Sequence, residues 1–234
     1  AIGMKSGFMN GDYLINLDSE DEGQFFVSCA GGRSTIATFS VEREEAPAGY
    51  FFMEAAVKGL VGGHSGDDIN KKRANANKLL VRFLVNEMQK FDLRLIDIQS
   101  GGLHNAIPRE GHAMCAVPAA EKQTLEADLK AFEAAVKDEF ATTEKNVHIA
   151  IAEQPSQKVG MEPAAMRRML LSLHAVHNGV YAMSQDIDWL VETSSNLASI
   201  RKEGDKVVVT TSQRSSVASA CQNMASIIRA AFEL

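Results

Sequence analysis

The sequence predicts an α+β fold: a ferredoxin-like βαββαβ unit, an antiparallel sheet with helices on one face, enlarged by a second α-β-β-α half. Three observations carry that expectation. Between residues 50 and 152 the hydrophobic period switches between strand and helix in the order β-α-β-β-α-β. Two helical stretches there are amphipathic: Leu80, Phe83, Leu84 and Met88 lie on one stripe, and Leu125, Leu129, Phe132, Val136 and Phe140 on the other. After residue 155 helix, two strands and helix follow again, a repeat of element order rather than of sequence.

Taken in order, residues 1–13 are glycine-rich and polar, hence loop, and Tyr13–Leu17 is a short apolar strand. Strand-like runs follow from Gln24 to Val41, broken at Gly31 and Gly32, then a charged turn holding Pro47. Residues 50–61 form a strand and 68–90 a helix, with Asp67 and Asp68 at the helix start where acids are favoured. Strands at 92–99 and 112–117 flank an extended piece at His104–Pro108. A helix at 121–141 and a strand at 146–152 close the first half. The second half has a helix at 162–177, a hairpin of 191–202 with 206–212 turning at Glu203–Asp205, and a helix at 216–233. It is expected to share strand 146–152.

With 234 residues, 45% of them hydrophobic, the chain can bury a sizeable core. A net charge of −6, with its 24 basic residues scattered, argues against nucleic acid and against an anionic membrane. Cys29, Cys115 and Cys221 have no paired spacing and read as reduced thiols of a cytoplasmic protein. The first residue is not methionine, and the chain is expected to be a piece of a longer one.

The densest signal is Gly59-Leu-Val-Gly-Gly-His-Ser-Gly66. Glycines on both sides of His64 allow unusual backbone angles and close approach by another molecule. The plain alternative is a tight turn with an exposed histidine. A phosphate loop is excluded because Asp67 and Asp68 stand where Lys-Ser/Thr is needed; a nucleophile elbow is excluded because Asp67 replaces its second glycine.

Other candidates are weaker. Asp18 lies among Asp12, Glu20, Asp21 and Glu22, a solvated acidic turn or a cation ligand; as a calcium loop it fails, since its twelfth position is Cys29. His174 with His177, and His104 with His112, lack a third ligand at zinc-site spacing. Arg214 is a surface arginine or a guanidinium fork for a carboxylate, and Asn105 a turn residue or an amide donor. Together His64, Asn105 and Arg214 are donors without a nucleophile, a set that binds and polarises.

Five motifs in order resemble those of the aminoacyl-histidine dipeptidases, in the dizinc aminoacylase and carboxypeptidase group. They are Asn16-Leu-Asp-Ser-Glu-Asp-Glu-Gly23 with Cys29-Ala-Gly-Gly32, the His64 loop, Asn75-Ala-Asn-Lys-Leu-Leu80, Gly101-Gly-Leu-His-Asn-Ala-Ile-Pro108 and Val191-Glu-Thr-Ser-Ser-Asn-Leu197. The resemblance implies a cytoplasmic metallopeptidase with two zinc ions and a lid closing over a dipeptide, Xaa-His among the substrates, and a homodimer contact through the lid. It implies that Asp18 ligates one zinc, His64 polarises the scissile carbonyl, and Asn105 and Arg214 hold substrate backbone and carboxylate. The family's other metal ligands and its Glu-Glu general base are missing from the sequence. The expectation is therefore a lid fragment, inactive alone: residues 1–22 at the edge of a truncated catalytic domain, 23–234 the lid, in halves 23–154 and 155–234. The rival is a non-catalytic ferredoxin-like module for dimerisation or small-molecule binding.

Overall fold

The computed structural model describes residues 6–7, 10–13, 15, 22–23, 29–157 and 159–233. Asp18, most of the strand expected at 13–17 and the run 24–28 lie outside the described residues. The elements are β1 (Gly31–Ser40), β2 (Arg43–Glu45), β3 (Tyr50–Lys58), β4 (Gly63–His64), α1 (Ala76–Glu87), β5 (Arg94–Ser100), β6 (Ala106–Ile107), β7 (Gly111–Pro118), α2 (Lys122–Glu139), β8 (His148–Glu153), β9 (Val159–Met161), α3 (Pro163–Ala175), β10 (Gly179–Met183), β11 (Val191–Glu203), β12 (Lys206–Ser215) and α4 (Ala218–Glu233).

Eight strands make one antiparallel sheet in the order β1-β12-β11-β5-β7-β3-β8, with β10 added beside β11. The expected βαββαβ unit is there, running from β3 to β8. Its strands stand as second, third, first, fourth. The second unit repeats the pattern as β11-β12-β1, and this corrects one expectation. The strand that serves it is β1 rather than 146–152, which as β8 pairs with β3. The first unit is thus inserted between β1 and α3 of the second. Strands β2 and β9 pair where the insertion enters and leaves, Arg43 opposite Met161.

The units meet edge to edge, β11 beside β5 through Ile200 and Ser100, with α1 packed on α3. One apolar core runs beneath both: Met53, Leu84 and Leu95 of the first unit are continuous with Leu170, Ile200 and Val209 of the second. Each such side chain contributes roughly 1.5–3 kcal/mol by leaving water.

Helix α1 begins eight residues later than expected, because its cap is Asn75, whose side chain accepts from the N–H groups of Asn77 and Lys78. Asp67 and Asp68 belong instead to an irregular loop. Strands β2, β9 and β10 escaped the sequence pattern, β2 and β9 being three residues long and β10 bulged against β11. Cys115 and Cys221 are buried free thiols, burial pushing that of Cys115 up to about 12, whereas Cys29 is exposed.

Candidate functional site

The site forms on the sheet face opposite the helices. Along β12, Val207 and Val209 point into the core, so alternation turns Arg214 to the other face, opposite Ser194 on β11. Asn196, two residues along, donates from Nδ2 to the Ala106 carbonyl at 2.8 Å and fastens the short β4–β6 ribbon to β11. That ribbon carries His64, paired with Ala106.

The His64 loop is fixed by its own polar groups. The His64 N–H donates to Asp68 Oδ2 at 2.8 Å, the Asp68 N–H to the His64 carbonyl at 3.0 Å, and the Ser65 N–H to the Asn105 carbonyl at 2.8 Å. The hydrogen bond from Lys71, joined by the His64 N–H and Arg73, holds Asp68 below the usual carboxylate range against the opposing effect of burial. Gly63 sits at φ +138°, and a Cβ there would collide with Arg73 and Asp68, so glycine is required. Gly66 matters for space rather than angle. A Cβ on it would stand 3.2 Å from His64 Cε1 and 3.3 Å from Arg214 Nη1, so imidazole and guanidinium converge on this one residue.

A buried carboxylate, Glu144, accepts from the Val61 N–H at 2.7 Å and the Ala74 N–H at 2.9 Å, clamping both ends of the loop. Nothing in the sequence pointed to it, since it arrives from the turn after α2. Behind the loop, Asn75 and Asn196 meet. Asn75 Nδ2 shares its two hydrogens among Asn178 Oδ1 at 2.9 Å, the Leu197 carbonyl at 3.0 Å and Asn196 Oδ1 at 3.2 Å. Beside it, Lys78 Nζ donates to the carbonyls of Leu173, His174 and Val176 at the end of α3, while burial pushes its ammonium down to about 8. The Asn75 and Asn196 motifs thus lock the two units together.

Of the predicted residues, His64, Asn105 and Arg214 are brought to one place, Asn105 through its backbone contact with Ser65. Arg214 Nε is buried with no hydrogen-bond partner among the described residues, the condition of a guanidinium awaiting an acceptor. A cavity of about 900 Å³ is lined by Asn75, Lys78, Ile107 and Trp189 rather than by His64 or Arg214. His64 and Arg214 are both half-buried. His177 packs edge-on against Tyr181, and among the described residues no three His, Cys, Asp or Glu side chains gather as metal ligands.

Residues 55–144 match the M20 family described as a peptidase dimerisation domain. The chain is 37% identical over 209 residues to the cytosol non-specific dipeptidase of Escherichia coli K12, covering 89% of this chain and 43% of that protein. Its fold matches the crystal structure of aminoacylhistidine dipeptidase from Vibrio alginolyticus with a TM-score of 0.89 and 36% identity, over 99% of this chain and 47% of that one. The chain thus spans less than half the length of either relative. Its residues 55–144 are a peptidase dimerisation domain of the M20 kind.

Proposed function

We propose that this chain is the lid of a zinc-dependent cytoplasmic dipeptidase acting on Xaa-His and related dipeptides, with residues 1–22 at the edge of its catalytic domain and 23–234 forming the lid. The observation that carries the reading is the meeting of His64 and Arg214 at Gly66. Two half-buried donors side by side suit a lid that closes on a substrate held by another domain. The names of the two dipeptidase relatives supply the reaction class.

In this reading Arg214 sets its planar fork against the carboxylate of the dipeptide. Asn105 holds the substrate backbone, and His64 donates a hydrogen bond to the carbonyl oxygen as negative charge develops there. No cluster of three metal-ligating side chains forms among the described residues, so the metal centre of this reading lies outside them. Zinc, two ions of it, and Asp18 as a ligand rest on the resemblance alone. For the same reason the chain by itself is expected to be inactive.

The family match supports a homodimer through the lid. The edge of β5 and the face of α1 are already engaged by β11 and α3 of the same chain, so that contact uses another surface. Among the described residues no helix is long and apolar enough to cross a membrane.

The test is His64→Ala in the full-length enzyme. A donor acting mainly on the transition state is worth about 2.7–4 kcal/mol, so kcat and kcat/KM should fall together by roughly 10²- to 10³-fold. Metal content and Tm should not move. Wild-type turnover in the variant overturns the reading.

A further inference from the structure

We infer that Asp67 fixes the tautomer of His64, so that the ring donates from Nε2 only when it carries both protons; this rests on the reading of His64 as the carbonyl polariser. The backbone of His64 is held by Asp68 on one side and by the pairing with Ala106 on the other, which leaves the ring to be set by its own contacts. Its Nδ1 lies 2.6 Å from Asp67 Oδ2. The Asp67 N–H also points at Nδ1, at 3.4 Å. One nitrogen cannot donate to the carboxylate and accept from the amide at once. The shorter contact decides, and Nδ1 carries the hydrogen.

A neutral imidazole has a single N–H. With that hydrogen committed to Asp67, Nε2 of the neutral ring is a lone pair, which repels a developing oxyanion instead of stabilising it. Donation from Nε2 requires a second proton. The charged groups that face the ring are the Asp67 carboxylate and the Arg214 guanidinium, which approaches Gly66 from β12. Asp68 is taken up by Lys71 and Arg73 and leaves Asp67 as the ring's own counter-charge. Asp67 is thus a positioning residue: it touches no substrate, and it makes the donor strength of His64 follow the proton.

Two measurements on the full-length enzyme test this. In ¹⁵N ring spectra at alkaline pH, with the His64 signals assigned by their loss in His64→Gln, wild type and Asp67→Asn should show the Nδ1–H tautomer, because the amide oxygen of Asn still accepts. Asp67→Ala should switch to Nε2–H. In kinetics, kcat/KM of wild type and Asp67→Asn should decline on the alkaline side as His64 loses its second proton. Asp67→Ala should lose that decline, and should be roughly tenfold less active on the acid side, where a charge-assisted hydrogen bond has gone. A wild-type Nε2–H tautomer, one tautomer in all three proteins, or an alkaline limb that survives in Asp67→Ala overturns the inference. Failure of the parent reading looks different: full activity in His64→Ala with the tautomer switch intact.

Discussion

The two units share a topology and differ in what their strands bury. In the first, buried strand positions include Met53, Ala55, Val57, Leu95, Ile98, Ala113, Cys115 and Val117, with Ser100 as the polar exception. In the second, Thr193, Ser194, Ser195, Asn196, Ser199, Thr211, Ser212, Gln213 and Ser215 are all buried. Polar groups out of water are costly unless bonded, and here they bond one another: Thr35 Oγ1 to Gln213 Oε1, Gln213 Nε2 to Thr211 Oγ1, Thr193 Oγ1 with Ser215 Oγ. The first unit is a scaffold held by packing. The second gives up apolar contact along the core side of β12, the face opposite Arg214, and borrows His64 from a loop of the first.

That contrast can be broken most forcefully at Met53, which is fully buried in the first unit. Met53→Ala should cost roughly 2–5 kcal/mol by leaving a cavity, read as a lowered midpoint in denaturant titration. A cost under 1 kcal/mol would mean that packing does not hold this unit.

A smaller effect is expected at its outer edge. Glu133 accepts from the Ile149 N–H and contacts Lys137 and His148. Burial opposes its ionisation, but these partners win and hold its carboxyl down at about 2. A depressed carboxylate stabilises the fold above its unfolded value near 4.5, and that stability is lost as pH falls through about 2. Glu133→Gln should therefore cost about 1–2 kcal/mol at pH 7 and almost nothing at pH 2. A difference that persists at pH 2 rules out this account.

The smallest change sharpens the comparison from the other side. Ser195 is buried and its hydroxyl has no hydrogen-bond partner among the described residues. Ser195→Ala removes a desolvated group without orphaning another, so stability should stay level or rise by up to about 1 kcal/mol. A clear loss would reveal a partner for that hydroxyl.

The first unit was legible because its signals are local: apolar stripes such as Leu125–Leu129–Val136 and a contiguous element order. The second was half legible. Its helices and hairpin show in the sequence, but nothing local says that β1 belongs with β12, since Thr35 and Gln213 are 178 positions apart. The late start of α1 has the same cause. The loop before it is held by Glu144, 70 positions from Ala74 and outside any short window. In the site, the glycines flagged His64, and a strand end flagged Arg214. Their meeting at Gly66, the clamp by Glu144 and the Asn75–Asn196 contact are tertiary, and only the folded chain displays them.

The insertion of one unit inside the other also orders events in time. During synthesis β1 leaves the ribosome ahead of the inserted unit, yet its partner β12 is made only after that unit. Unit one closes on itself from contiguous chain, and β2 with β9 then draws the flanks together. Until that happens β1 is a ten-residue strand without a neighbour, and Ile36, still 64% exposed in the finished fold, is part of it. Nascent chains stalled between β8 and β12 therefore carry a folded first unit and a bare strand, the species most exposed to strand-to-strand aggregation and to capture by chaperones.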